Sequence, residues 1–452
     1  MNERLAVPPE PRAQSRGYSY RISAVTALSG FLFGFDTAII NGAIVFLRRH
    51  FRWTEIETEF AAGSLLAGCA LGAGVAGALS DRFGRKMVLL LSAAIFALSS
   101  VATALPNGLG AFVAARGIAG VAIGIASMLA PLYIAEVAPA NIRGRLVSMN
   151  QLAIVLGILV SYVAGWALAG LGDESWRWMF AVAAAPSLLF FGALFSVPES
   201  PRWLVKEGRH DEAARILARL GEPPSQLREI ERAIAEESGS LWQLLEPGLR
   251  RPLLIGVTLA ILQQVTGINT VLYYGSIIFT EQAGSASTSA ALWANVLVGV
   301  TNLVLTVVAL FTIDRLGRKV LLISSAAGMG LSLAALGFVF SAGSVRPSSV
   351  LGMILCYVAF FSFGMGPGVW VVISELFPTR IRGRAMSVAT VALWLACLLI
   401  TVTFLSLVKA VTAAGAFWVY AFMCALTVWF VWRFTPETKG KNLEEIEKQW
   451  TQ

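Results

Sequence analysis

Charge is scarce in this sequence. Of its 452 residues only 14% are Asp, Glu, Lys or Arg, where a soluble domain carries roughly 25%. A chain so poor in charge does not fold mainly around a water-facing surface. Histidine is scarcer still: His50 and His210 are the only two, and they stand far apart, which argues against a histidine-based metal site. The four cysteines, Cys69, Cys356, Cys397 and Cys424, lie in apolar segments with no CxxC spacing. They read as small buried hydrophobes, neither disulfides nor metal ligands. Alternation of apolar and polar residues with period two is also missing, and the apolar segments are about twice the length of a barrel strand, which makes strands a poor reading. The N-terminus, MNERLAVPPEPRAQSRGYSYR, lacks the apolar core of a cleavable signal peptide. The first apolar segment is therefore expected to stay in the mature protein, behind an Arg-rich leader on the cytoplasmic side.

What the chain has in place of charge is apolar length. Hydrophobic residues make up 56% and mean hydropathy is +0.71. Runs such as 87–105, 180–197, 320–340 and 411–434 are each long enough to cross a core of about 30 Å at about 1.5 Å per helical residue. Breaks at polar, Pro or Gly clusters predict twelve helices. Six lie near 20–46, 60–80, 87–105, 109–135, 146–170 and 178–197; six more near 252–280, 289–312, 319–342, 349–374, 385–409 and 412–434. The net charge of +8 gathers in short loops on alternating sides, as the positive-inside rule requires. No basic–aromatic stripe on a soluble domain exists to hold nucleic acid. The loop with Arg48, Arg49 and Arg52 breaks the asymmetry, offset locally by three glutamates.

The two halves resemble each other. GALSDRFGRK answers FTIDRLGRK, AEVAPANIRGRLVSMN answers SELFPTRIRGRAMSVA, and PESPR answers PETKG, at offsets of about 233 to 239 residues. The expected architecture is an all-α membrane protein of two six-helix lobes, 21–197 and 252–434. A linker, 198–251, carries short amphipathic helices such as HDEAARILARL. Tails 1–20 and 435–452 are expected in the cytoplasm, with NLEEIEKQW in the second reading as one more short helix. Substrate sites in such duplicated folds lie between the lobes near mid-membrane.

The DRxGRK loops, PESPRW, QQVTGIN, GPGVW and PETKG, in that order and each at the end of the appropriate helix, resemble the sugar porter branch of the major facilitator superfamily. The likeness covers about residues 21–445. It is similar to the bacterial proton-coupled pentose and hexose symporters and, more distantly, to the animal glucose facilitators. The resemblance implies alternating access about a central site. It also implies a cytoplasmic gate made of Asp81, Arg85, Glu136 and Arg143 in one lobe and Asp314, Arg318, Glu375 and Arg382 in the other. The plain reading of the same charges is topology, bases held at the cytoplasmic interface.

A sugar offers hydroxyls and a weakly apolar face, so its site needs amides and aromatics rather than charge. The seventh helix, ILQQVTGINTVLYYG, supplies Gln263, Gln264 and Asn269. Amides there are costly if they face lipid. Gln263 and Asn269 differ by about 240° around a regular helix, so both face one cavity only if it is wide or the helix unwinds, which Gly267 would allow. Tyr273 shares the face of Asn269. These positions, with Gln151 and Asn302, match the family's sugar-contact pattern, and Trp370 matches its tenth-helix tryptophan. Phe33 and Trp394 would close the walls. The sequence departs from the pattern at Leu393, where the family often has an amide, and at Cys397, often polar. That side of the pocket is expected to be drier, which leaves a pentose, a deoxy sugar or a polyol as eligible as glucose.

Asp36 stands in GFLFGFDTAIINGAI, and Arg116 is the only charge in FVAARGIAGVAIGIA. They lie about 22 and 30 Å from the cytoplasmic ends of their helices, depths compatible with an ion pair in the outer half of one lobe. A structural pair would explain their survival in the membrane. In the family, an aspartate here accompanies proton symport. Separated from Arg116 by lobe motion, Asp36 would take up a proton and release it inside, with Glu199 as a further relay or a member of the gate. The expected function is import of a monosaccharide by proton symport. The alternative is a sugar or polyol uniporter in which Asp36–Arg116 is structural. The partners expected are sugar, proton and lipid, with the chain acting as a monomer in the cell membrane and no cofactor. A membrane enzyme would want clustered acids, histidines or a metal site; a sensor, a long cytoplasmic extension; an organic-acid carrier, an unpaired cavity base.

Overall fold

The computed structural model describes residues 12–139, 142–235, 244, 246, 248–284, 287–343, 345–377, 382–437 and 439. Twelve helices in it are long and apolar enough to cross a membrane, and the described residues contain no strand. In chain order the spans are Arg16–Phe51, Glu55–Phe83, Arg85–Ala104, Leu109–Val137, Arg143–Leu171 and Ser175–Leu194, then Arg250–Gln282, Thr288–Ile313, Arg318–Ser341, Pro347–Leu376, Gly383–Thr401 and Phe404–Phe434. With twelve crossings the chain's two ends lie on one side, here the near side; the opposite is the far side. The first helix begins at Arg12, so residues expected as tail are already helical. The NLEEIEKQW segment lies outside the described residues.

Several spans are not continuous. The seventh stops at Val265 and resumes at Ile268 across Gly267, whose φ of 92° is left-handed. A Cβ there would meet the Tyr420 ring at 2.8 Å, so glycine is needed both for conformation and for space. The tenth carries a π-helical stretch, Phe361–Met365, before Pro367. The last span is divided by Thr412, at φ 66° and ψ 166°, the turn that the sequence places near 410–411. What precedes it is a short helical piece beginning at Phe404.

Within the first half, the first span packs on the fifth and fourth, and the second on the fourth. Gly68 and Gly120 let the second and fourth approach until a Cβ on either would strike backbone of the other, the small-residue packing that replaces a hydrophobic drive in lipid. In the second half the ninth packs on the twelfth and the seventh on the eleventh. The halves meet where the fifth touches the eighth, the second touches the eleventh, and the first touches the upper part of the seventh, Ile268–Ile277. Large apolar side chains such as Leu71, Leu98, Phe311, Leu331 and Phe422 point outward and stay exposed, as a lipid-facing surface requires.

The duplicated loops build one device twice. Gly84 and Gly317 both take φ 91°, turning the chain into the third and ninth spans. Glu199 accepts from the Arg85 and Lys86 N–H groups at 2.9 and 3.1 Å. Glu437 accepts from Arg318 and Lys319 at 3.0 and 3.1 Å. Each carboxylate satisfies donors that a helix start leaves open and meets the positive end of its dipole. After Glu199 come helices Pro201–Lys206, His210–Leu220 and Ser225–Ala235. The middle one buries Ala213, Ile216, Leu217 and Leu220 and leans on the first span.

Candidate functional site

The break at Gly267 brings the three amides of the seventh span into one chain of hydrogen bonds. Gln263 Nε2 donates to the Met365 and Gly366 carbonyls, at 2.8 and 3.1 Å. Those carbonyls sit where the π stretch of the tenth span passes into α-helix. Gln264 Nε2 donates to Gln263 Oε1 at 3.0 Å, and Asn269 Nδ2 donates to Gln264 Oε1. All three are buried. A regular helix would have held Gln263 and Asn269 apart; the left-handed residue rotates the upper segment back. Tyr273, buried one turn beyond Asn269, places its hydroxyl 3.8 Å from Cys397 Sγ. That is a weak partner where an amide or hydroxyl would be a strong one.

Phe33 of the first span and Trp394 of the eleventh meet edge to face, ring centroids 5.3 Å apart, joining the two halves. Trp394 Nε1 is buried without an acceptor among the described residues. Leu393 beside it is buried and carries no polar atom. Gln151 and Trp370 are half-buried. Asn302 faces the π stretch: its Oδ1 accepts from the Ser362 hydroxyl at 2.8 Å and from Thr306 at 3.4 Å. Its carbonyl is thus already occupied, as is the Gln263 amide nitrogen, while Gln264 and Asn269 each donate to the next amide in the chain.

Asp36 and Arg116 form the inferred pair. Arg116 Nη1 donates to Asp36 Oδ2 at 2.7 Å, and Nη2 reaches the Asp36 carbonyl at 3.4 Å. The side chains are 3% and 1% exposed. The guanidinium lies 5.2 Å from the Phe180 ring centroid, and its Nε has no acceptor among the described residues. Removing one member of so buried a pair would cost about 3–5 kcal/mol.

The near-side charges pair within each half. Arg85 reaches Glu136 at 3.1 Å and Asp81 at 3.2 Å; Arg318 reaches Glu375 at 3.0 Å. Arg143 is exposed. The side chains of Asp314 and Arg382 lie outside the described residues. Glu199 belongs to this face as the helix cap described above. Burial pushes its carboxyl up, against the pull of the Ser200, Lys86 and Arg85 N–H groups. Across the halves, Ser387 Oγ lies 3.5 Å from Met128 Sδ.

On the far side the halves are tied first by Asn41, which the sequence pattern does not single out. Asn41 is fully buried. Its Nδ2 donates to the Leu272 carbonyl at 3.0 Å and to Asn295 Oδ1 at 3.2 Å. Its Oδ1 accepts from the Ser276 N–H at 2.7 Å, and Tyr162 adds a bond to Leu272 at 3.1 Å. Above them Arg48 pairs with Glu281 at 2.6 Å and Arg49 donates to Thr288 at 3.3 Å, around a recess of about 550 Å³. Asn41 stands five residues after Asp36 in the same polar-poor stretch. An intramembrane amide was the available signal, but its partners lie 231 and 254 positions away.

Comparison with known proteins matches this arrangement to a described family. Residues 22–450 match the family described as "Sugar (and other) transporter". The arabinose-proton symporter of Bacillus subtilis (strain 168) is 39% identical, with 98% of this chain and 97% of that protein covered. The D-xylose-proton symporter of Escherichia coli (strain K12) is 40% identical, with 96% of each covered. The partially occluded inward open conformation of the xylose transporter XylE from E. coli superposes with a TM-score of 0.85 at 36% identity, over 94% of this chain and all of that one. Twelve apolar spans in two halves and a match across nearly the whole length make this chain a multi-pass membrane transporter of the sugar porter family of the major facilitator superfamily.

Proposed function

We propose that the chain imports a monosaccharide, hexose or pentose, by proton symport through alternating access. The observation that carries the reading is the buried Asp36–Arg116 pair, set in a family whose relatives include proton symporters for arabinose and xylose. Held by Arg116, Asp36 is a carboxylate. Rocking of the lobes that lengthens the 2.7 Å contact leaves a buried charge with no counter-ion, and binding a proton relieves it. Charge in the cavity is then governed by protonation, and the proton gradient drives the sugar.

In this reading Gln151, Gln263, Gln264, Asn269 and Asn302 exchange hydrogen bonds with the hydroxyls. Phe33, Tyr273, Trp370 and Trp394 cover the ring. The amide chain Gln263–Gln264–Asn269 is a stand-in for substrate: a sugar trades the amide–amide bonds for its own, so few donors are left open in the empty protein. The near side, with both chain ends, faces the cytoplasm of a cell in whose membrane the protein works as a monomer. Asp81, Arg85, Glu136, Arg143, Glu199, Asp314, Arg318, Glu375 and Arg382 line the inner gate. In this reading the far-side ties belong to a conformation whose outer gate is shut.

A uniporter with a structural ion pair is the second reading. It is favoured by the contacts that Arg116 makes besides the salt bridge, to the Asp36 carbonyl and the Phe180 ring. Uptake in proteoliposomes separates the two, with a panel of labelled sugars and polyols and an imposed inward proton gradient. Gradient-driven accumulation by wild type, with only exchange by Asp36→Asn, is expected. Equal uptake with and without the gradient would assign the pair to structure alone.

A further inference from the structure

Glu59 is a buried carboxylate that neither the ion pair nor the sugar site uses. It lies one turn into the second span, on the far side, and is 2% exposed. Among the described residues no cation lies within 4 Å of it; the nearby Lys409 pairs instead with Glu55, at 3.5 Å. Both its oxygens cross to the other half of the molecule. Oε1 accepts from the Ser406 N–H at 2.8 Å and Oε2 from the Ser406 hydroxyl at 2.7 Å.

Ser406 stands in the first turn of the helix that begins at Phe404, where backbone N–H groups have no partner of their own. The residue placed to cap that turn is Thr403, and its side chain makes no cap bond. Thr403 Oγ1 donates backwards instead, to the Leu399 carbonyl at 2.7 Å. The acceptor this helix start requires therefore comes from the other lobe. We infer that Glu59 is the outer-gate latch: a helix cap supplied in trans between the lobes, made when the far side closes and released to water when it opens.

The energetics suit a latch. A carboxylate at a helix N-terminus is favoured by the dipole and by charge-assisted bonds, but burying it without a cation costs hydration. The two oppose each other, so the closed state is held without being locked. In the open state both Glu59 and the Ser406 N–H find water, and neither is stranded. A transporter whose two end states must stay close in free energy needs contacts of this kind.

The inference rests on the alternating-access reading, and its test needs neither sugar nor gradient, so it can fail while symport stands, and the reverse. Amide hydrogen exchange is measured on the full chain in lipid nanodiscs for wild type, Glu59→Ala, Ser406→Ala and Glu59→Gln. Glu59→Ala and Ser406→Ala are expected to speed exchange about tenfold in the first turn after Phe404 and in the upper seventh span, Ile268–Ile277, the size of one charge-assisted bond. The same variants slow exchange at the helix starts of Arg85 and Arg318 on the opposite face, because that gate closes as the outer one opens. Glu59→Gln, which can accept from the N–H and donate to the hydroxyl but carries no charge, is expected between wild type and Glu59→Ala. Faster exchange confined to the turn after Phe404 would overturn the inference and leave Glu59 a local cap. Exchange in Glu59→Ala unchanged from wild type in both regions would overturn it too, since the contact across the lobes would then not be what holds the gate.

Discussion

At the scale of single residues, two positions carry the most specific expectations. Arg116→Ala leaves Asp36 buried without its partner, so a loss of about 3–5 kcal/mol is expected. Asp36→Asn combined with Arg116→Gln should lose less than Arg116→Ala alone, because no charge is stranded; thermal unfolding of the purified variants checks the order. Leu393 is the other position. It is buried beside Trp394, whose Nε1 lacks an acceptor among the described residues. Leu393→Gln offers one more hydrogen bond to a sugar hydroxyl, about 0.5–1.5 kcal/mol, so the half-saturation concentration for a hexose should fall by up to about tenfold. A pentose that does not reach this wall should be unaffected, and equal gains for both sugars would count against the drier-wall account. The residues themselves were legible in sequence, since an amide or a charge in an apolar helix is conspicuous. Their bonding was not: nothing in QQVTGIN shows that Gln263 is spent on the carbonyls of Met365 and Gly366.

At the scale of elements, the two breaks in regular helix decide most. Gly267→Ala places a Cβ against Tyr420 in a backbone conformation that costs a non-glycine residue about 1–3 kcal/mol. The expected result is slowed transport with the amides misaligned, read as a higher half-saturation concentration together with a lower maximal rate. Glu199 gives a pH-dependent expectation. Burial holds its carboxyl above the ordinary range, so the folded chain binds that proton more readily than the unfolded one. Its contribution to stability is therefore present at acid pH and is lost as pH rises through the raised value. Wild type should lose melting temperature over that rise, and Glu199→Gln should lose less. An identical slope in both would mean that the cap bonds cancel the desolvation, and a rise in wild type that they outweigh it. The sequence pairing of PESPR with PETKG pointed to a shared role, and the structure shows what it is: Glu199 and Glu437 each cap the helix that follows a DRxGRK turn.

At the scale of the whole molecule, the far side is tied by bonds that join halves far apart in sequence, and in the proposed alternating-access cycle their strength would set the balance between end states. Arg48 and Glu281 are partly exposed, at 19% and 49%, so their pair is worth about 0–1 kcal/mol. Reversing one charge replaces attraction with repulsion. Arg48→Glu is thus expected to favour the outward-open state by a few-fold, and Arg48→Glu with Glu281→Arg to restore the wild-type balance. Sidedness of substrate affinity in proteoliposomes of known orientation reads this out. Arg48, Arg49 and Arg52 broke the charge asymmetry of the loops in sequence, and the fold gives the first two a purpose there: they hold partners in the opposite lobe.

The sequence by itself determined the medium, the number of crossings, the duplication into halves and the family. Composition and periodicity report which solvent each helix face meets, and a repeated motif keeps its order whatever the halves do in space. It also marked Asp36 and Arg116 as partners, because the depth of a charge along a helix can be counted. The tertiary structure alone decided the cross-lobe bonds of Asn41, Glu59 and Arg48, the amide chain anchored on the tenth span and the trans cap at Ser406. Each depends on how two rigid lobes are placed against each other, and a one-dimensional pattern of apolar and polar residues does not encode that placement.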